Sequence, residues 1–250
     1  MPRYDFRSPR LYVEAPLAAG ASVALDREQA NYLLNVLRLK PGASVLLFNG
    51  RDGEWRSELT PAGRRNAALA VEERTRQQPA AGDLELLFAP LKHARLDYMV
   101  QKAVEMGVSR LAPVLTQHGQ VTRINLERMR ANAIEAAEQC GILAPPEVAE
   151  PVALHAMAAS FDPARLLIFC DEEAEVRDPV AALAAVREGG AGRPVSVCIG
   201  PEGGFAEAER MALLRVPNVV RVALGPRILR ADTAAVAALA VVQAVLGDWR

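Results

Sequence analysis

Cysteine and histidine are scarce in this 250-residue chain, with three of each. Cys140, Cys170 and Cys198 sit in or beside apolar segments without paired spacing. That excludes a disulfide framework and points to a reducing compartment. His93, His118 and His155 stand far apart, without the spacing of metal ligands, so no metal site is expected. Long apolar runs are missing as well. The most apolar stretch, residues 234–246, is broken only by Gln243. It is too short to span a bilayer and reads as a buried helix. The opening Met1-Pro2-Arg3-Tyr4-Asp5 has no apolar run, so neither a signal peptide nor a membrane partner is expected, and the expected location is the cytoplasm. Neither sign of charge dominates, the net charge being −1. What is present is a 51% apolar composition, enough for one or two domains with a full-sized core.

The balance of charge hides an asymmetry. Residues 1–78 carry 12 Lys/Arg against 9 Asp/Glu, and residues 79–250 carry 17 against 21. A modestly basic first third suits an anionic partner, although a strong nucleic-acid footprint is usually far more basic. Its sequence reads as short strands at 11–13, 22–25, 44–49, 54–59 and 67–71, with a short helix at 28–37. Turn signals at Pro41-Gly42, Asn49-Gly50 and Asp52-Gly53 separate them. Strands at this spacing suggest a small barrel over residues 1–76, followed by a linker at 77–83.

From residue 84 the pattern changes to strands alternating with helices. Strands are expected at 84–91, 110–115, 166–170, 195–199 and 219–224. Helices are expected at 96–106, closed by Gly107, at 125–140, ended by Gly141, at 180–187, and from Ala234 onward. This alternation implies a mainly parallel sheet with helices on both faces over residues 84–250.

Two segments carry the chemistry. Ile199-Gly200-Pro201-Glu202-Gly203-Gly204-Phe205 and Leu224-Gly225-Pro226-Arg227-Ile228-Leu229-Arg230 each follow a β-branched run and precede helical sequence. In open α/β sheets, ligands bind in loops at the carboxyl ends of strands. Glycine there lets a ligand approach the backbone, and proline holds the loop in shape. The first loop lacks the Lys and Ser/Thr of a P-loop and the spacing of the dinucleotide fingerprint. In the second, Asp232 or Thr233 is a good N-cap, which puts Arg227 and Arg230 at or just before a helix N-terminus. Positive charge there opposes the helix dipole, and an anionic ligand would offset that cost. Tight turns and two surface arginines, one paired with Asp232, describe the same residues equally well. Arg38 and Lys40, at the end of the first short helix, are either solvated or in contact with phosphate. Arg3, Arg7 and Arg10 belong to the same basic first third.

The chain resembles the family of small-subunit ribosomal RNA uridine-N3 methyltransferases, within the SPOUT (α/β-knot) superfamily. The resemblance runs nearly end to end. It rests on Val36-Leu37-Arg38-Leu39, Phe48-Asn49-Gly50, Gln101-Lys102-Ala103-Val104-Glu105-Met106-Gly107-Val108, Glu138-Gln139-Cys140-Gly141 and above all the two loops. It implies a PUA-like RNA-binding β-barrel at 1–76 and an α/β trefoil-knot methyltransferase domain at 84–250, one of the rare knotted topologies. It also implies S-adenosylmethionine (SAM) as cofactor and a homodimer. By resemblance Gly200, Pro201, Glu202 and Gly204 form one cofactor loop, and Leu224, Gly225, Ile228, Leu229 and Arg230 the other. RNA contacts are expected from Arg3, Arg7, Arg10, Arg38, Lys40 and Arg227. The sequence departs from the family pattern at Tyr32, where a histidine is expected, at Ile142, where an arginine is expected, and at Ala231-Asp232, in place of Thr-Glu.

The implied reaction is methylation of N3 of one uridine in 16S rRNA of the small ribosomal subunit. Losing the N3 proton leaves negative charge on N3 and two carbonyl oxygens, which a cation such as Arg230 would stabilise. Glu202 is the nearest motif carboxylate, as general base or as a group that fixes the loop. The rival readings are another SPOUT enzyme acting on tRNA or a ribose 2′-hydroxyl, an inactive RNA-binding assembly factor, and a binder of nucleotide phosphates.

Overall fold

A computed structural model describes residues 5, 7–61, 67–80, 82–121, 123–176, 178–187 and 193–249. The chain forms two compact units. One is Met1–Ala81 together with Ala137–Pro145, and the other is Gly82–Ala136 with Pro146–Arg250.

In the first unit, strands β1 (Arg10–Tyr12), β2 (Ser22–Ala24), β3 (Ser44–Phe48), β4 (Glu54–Pro61) and β5 (Ala67–Arg76) form one sheet in the order β1-β3-β4-β5-β2. Only β1 and β3 pair in parallel. The core gathers Leu33, Val45, Leu47, Leu59 and Leu69, each 1% exposed or less. Strand β5 runs past the expected residue 71 because its polar half finds partners across the sheet. Arg56 donates to Glu73, Arg74 lies over the Trp55 ring, and Arg76 donates to Glu54. Such cross-strand pairs hold a strand that has no apolar alternation.

The helix expected at 28–37 is divided. Helix α1 (Arg27–Asn31) starts at a capping box of Asp26 and Gln29, and then widens into a π-helical turn over Tyr32–Val36. That turn buries Leu33, leaves Val36 62% exposed, and hands the chain to Arg38 in a left-handed conformation, φ 55°. Short π-turns and left-handed non-glycine residues are uncommon and concentrate at functional sites.

The second unit holds β6 (Leu84–Phe88), α2 (His93–Glu105), β7 (Arg110–Leu115), α3 (Leu126–Cys140), β8 (Glu147–Val148), β9 (Val152–Ala153), α4 (Leu154–Ala159), β10 (Leu166–Cys170), α5 (Pro179–Arg187), β11 (Val195–Ile199), α6 (Glu207–Leu214), β12 (Val219–Val222) and α7 (Ala231–Val245). The last turn of α3 counts with the first unit. The sheet order is β12-β10-β11-β6-β7-β8, with every described pairing parallel. Helix α7 packs against α2 and α5, while α4 packs against α6. The central strands β6 and β11 are buried at every residue, as continuous apolar runs demand when both faces of a sheet are covered.

Gln243, the one polar break in the apolar stretch 234–246, is only 5% exposed. Its amide donates to the Met106 carbonyl at 2.6 Å, and its carbonyl accepts from the Asp248 backbone at 3.1 Å. The break therefore ties the end of α7 to the end of α2. Among the described residues, no helix is long and apolar enough to cross a membrane.

Candidate active site

Because β10, β11 and β12 are parallel neighbours, their carboxyl ends open on the same side. A cavity of about 450 Å³ lies there, walled by the segments that follow the three strands. That size suits a small-molecule ligand.

The wall after β11 is set by two backbone requirements. A Cβ on Gly200 would lie 2.6 Å from the Phe205 ring, which itself packs edge-on against Phe169. Gly204 adopts φ 71° and donates its N–H to the Pro201 carbonyl at 2.9 Å, closing a tight turn. Only glycine serves both positions without displacement or strain.

This loop is also held from outside. Buried Glu209 accepts from the Gln117 N–H at 2.7 Å and from the Ala206 N–H at 3.0 Å. The His118 ring lies 3.2 Å from the Gly204 carbonyl. One carboxylate thus joins the loop after β7 to the loop after β11.

The wall after β12 carries Leu224, Gly225, Arg227, Ile228 and Leu229, with Ile228 90% exposed at the rim. The third wall, Cys170–Glu173, contains a buried charge cluster. Asp171 accepts from Arg221 at 2.8 Å and from Arg210 at 3.2 Å. Burial pushes the Asp171 carboxyl up, but its hydrogen bonds from Arg210, the Glu173 backbone and Arg221 outweigh that, and its pKa falls below the usual carboxylate value. Desolvation pushes the Cys170 thiol up to about 12, which keeps it protonated near neutral pH and excludes it as a ready nucleophile.

Gly200, Pro201, Glu202, Gly204, Leu224, Gly225, Ile228 and Leu229 all line this cavity. Arg227, expected on RNA, lines it too, and Arg230 does not. The expected caps Asp232 and Thr233 are corrected: α7 begins at Ala231, and Arg230 is its N-cap, with no side-chain cap bond. Starting the helix earlier places the small side chains of Ala231 and Ala234 on the cavity. Arg230 is exposed, and its side chain has no described partner.

Glu202 forms an ion pair with Arg95 of α2, both half-exposed. Arg7, Arg38 and Lys40 are exposed on the first unit, and Arg3 lies outside the described residues. Arg10 is instead 8% exposed and committed to the interior, donating to Glu54 at 3.0 Å and to the Asp5 carbonyl at 2.7 Å. A buried, paired guanidinium cannot also meet a phosphate, and its place in the RNA-contact set is withdrawn.

Sequence reading missed the wall at Asp171-Glu172-Glu173 and its partner Arg210. A signal for it existed. The apolar run 166–170 ends in polar residues just as the other two strands do, and the strand-end rule applies equally to it.

The second unit is thus an open, parallel α/β domain with a ligand-sized cavity at its strand ends, the place where such sheets bind ligands. The RNA methyltransferase domain family matches residues 77–243, and the RNA methyltransferase PUA domain family matches residues 25–72. The chain belongs to the RNA methyltransferase family. It is 28% identical over 235 residues to the ribosomal RNA small subunit methyltransferase E of Rickettsia conorii, covering 94% of each chain. Among solved structures, it superposes with a TM-score of 0.85 on the Neisseria gonorrhoeae ribosomal RNA small subunit methyltransferase E bound to S-adenosyl methionine. The identity there is 27%, and coverage is 98% of this chain and 100% of the other. A Legionella pneumophila protein described as a putative methyltransferase, in complex with SAM, gives a TM-score of 0.81 at 26% identity, covering 95% and 98%.

Proposed function

We propose that this protein uses SAM to methylate N3 of a specific uridine in 16S rRNA of the small ribosomal subunit. The observation that carries the proposal is the strand-end cavity, built from the same two loops that carry the family resemblance. Relatives matched over nearly the whole chain are small-subunit methyltransferases, and one solved with SAM shares the fold.

The cavity residues fit that cofactor. Gly225, with nothing within 4 Å of an added Cβ, leaves a backbone edge open, Leu224 and Leu229 supply apolar wall, and the carboxylates of Glu172 and Glu202 suit a ligand bearing positive charge. When bound, SAM supplies an electrophilic methyl group. The uridine N3 loses its proton and uses the freed electron pair to bond that methyl, while the S–C pair stays on sulfur. Positioning the two centres supplies much of the rate.

In this reading Glu202 accepts the N3 proton, and Arg230 stabilises charge on the acceptor. Arg7, Arg38, Lys40 and Arg227 are the exposed cations assigned to RNA. Residues 1–76 dock the RNA, residues 84–250 hold the cofactor, and two chains act as a dimer in the cytoplasm. The test is transfer of tritiated methyl from SAM to small subunits lacking the modification, followed by mapping of the labelled nucleotide. Label on N3 of one uridine is the expected result. Label on tRNA or on a ribose 2′-oxygen overturns it. A salt series in the same assay is expected to weaken RNA affinity steadily, as phosphate contacts require.

A further inference from the structure

Pro201 and Glu202 wall two cavities. Behind the strand-end cavity lies a second, of about 250 Å³, bounded also by Lys92, Arg95 and Gln120. It sits at the carboxyl end of β6, the strand next to β11 in the sheet. Methyl transfer needs the reacting atoms within about 3–3.5 Å of each other, so the acceptor must enter a space that adjoins the cofactor cavity. This one adjoins it across two residues. It is also the smaller of the two, with room for a ring-sized group.

The chemistry of its walls is specific. Lys92 is exposed and has no ion-pair partner among the described residues. Lys92 is also the N-cap of α2 without a side-chain cap bond, and the first turn of α2 carries no acidic residue. The start of α2 therefore adds a second feature that favours an anion beside this cavity. Arg95 adds a second cation and holds the Glu202 carboxylate on the shared wall. Gln120 supplies an amide. The cavity thus offers cationic donors at Lys92 and Arg95, an amide at Gln120 that can donate or accept, and a carboxylate acceptor at Glu202. A uracil edge shows acceptor, donor, acceptor (O4, N3–H, O2), whereas a cytosine edge shows donor, acceptor, acceptor. Two cationic donors for the carbonyl oxygens and a carboxylate for the N3–H complement the first pattern. Lys92 and Arg95 would share with Arg230 the charge left on the two carbonyl oxygens when N3 loses its proton.

Resting on the reading of the protein as a uridine methyltransferase, we infer that the cavity of Lys92, Arg95 and Gln120 is the acceptor pocket. It receives a uracil base and selects it over cytosine.

The test has a binding arm and a transfer arm. In the first, uridine and cytidine 5′-monophosphates are titrated by NMR into full-length protein saturated with S-adenosylhomocysteine. Uridine monophosphate is expected to bind at least about tenfold more tightly, with the preference lost in Lys92→Ala and Gln120→Ala. Equal binding of the two nucleotides, or a preference untouched by both substitutions, overturns the pocket. In the second arm, each variant should keep S-adenosylhomocysteine affinity within about threefold and lose at least about tenfold in single-turnover rate. For Lys92→Ala, the pH at which the rate levels off should rise, because the N3 anion has lost a stabilising cation. Parallel loss of S-adenosylhomocysteine affinity would assign the cavity to the cofactor and overturn the inference. Wild-type protein that selects uridine monophosphate yet labels no small-subunit RNA would sink the ribosomal reading and leave the pocket standing.

Discussion

At the scale of single residues, the proposed role of Arg230 is in chemistry rather than in cofactor binding. It caps α7 with an exposed side chain and stays outside the cavity lining, between two neighbours, Leu229 and Ala231, that are in it. Arg230→Ala is therefore expected to leave the fold intact and S-adenosylhomocysteine affinity within about threefold, while methyl transfer falls by about 100-fold, the scale of losing one preorganised charge stabiliser. Lysine should restore part of the rate, since it carries the charge without the planar two-point contact. Calorimetry and single-turnover transfer on the same samples decide it. Near-normal transfer would remove Arg230 from the mechanism, and equal loss of affinity would make it a structural clamp. Arg10 is the opposite case: its charge is spent on Glu54 in the interior.

At the scale of elements, the ends of helices and strands are joined by side chains that look out of place in the sequence. Gln243 is a polar residue inside the most apolar helix, and its two hydrogen bonds close the ends of both α2 and α7. Gln243→Leu keeps the volume and strands the Met106 carbonyl and the Asp248 N–H. A loss of about 1–3 kcal/mol is expected from urea unfolding. No change would mean that water replaces the amide at no cost. Glu209 plays the same part for the loops after β7 and β11. The shape of the strand-end cavity thus depends on a carboxylate outside its wall.

At the scale of the whole molecule, each unit has a buried carboxylate held between two arginines. Glu54 takes Arg10 and Arg76 in the first unit, and Asp171 takes Arg210 and Arg221 in the second. Burial raises the Glu54 carboxyl, but hydrogen bonds from Arg76 and Thr75 outweigh it, and its pKa falls below its ordinary 4.5. Asp171 is likewise lowered. A group whose folded pKa is depressed contributes stability above its unfolded pKa and loses it as pH falls through the folded value. Melting temperature should therefore stay level from neutral pH to about 5 and drop steeply below about 4. Glu54→Gln should cost about 3–5 kcal/mol at neutral pH by leaving two guanidinium groups without their anion, and should flatten that acid limb. Melts from pH 7 to pH 3 would show both effects. An unchanged acid limb would clear Glu54 of the role. The apolar helix α7, whose Val236 and Val241 are only half-buried, also motivates the proposed dimer. Light scattering at low micromolar concentration should give twice the chain mass, and a clean monomer would sink that proposal.

The amino-acid sequence by itself determined the main strands and helices of the second unit but not the short β8, β9 and α4, because a period of two or 3.6 is a local property that burial imprints over longer elements and that two-residue strands are too short to display. It also determined where the two glycine-proline loops fall, since tight turns and close approaches restrict which residues can stand there. Tertiary structure alone decided which strands are neighbours, and so which loops share a cavity. Residues 171–173 join the site only because β10 lies between β11 and β12. Lys92 comes near Glu202 only because β6 lies beside β11. It likewise decided that Arg10 is interior while Arg38 is exposed. The choice depends on a carboxylate 44 positions away, Glu54, and no local pattern records a partner at that distance.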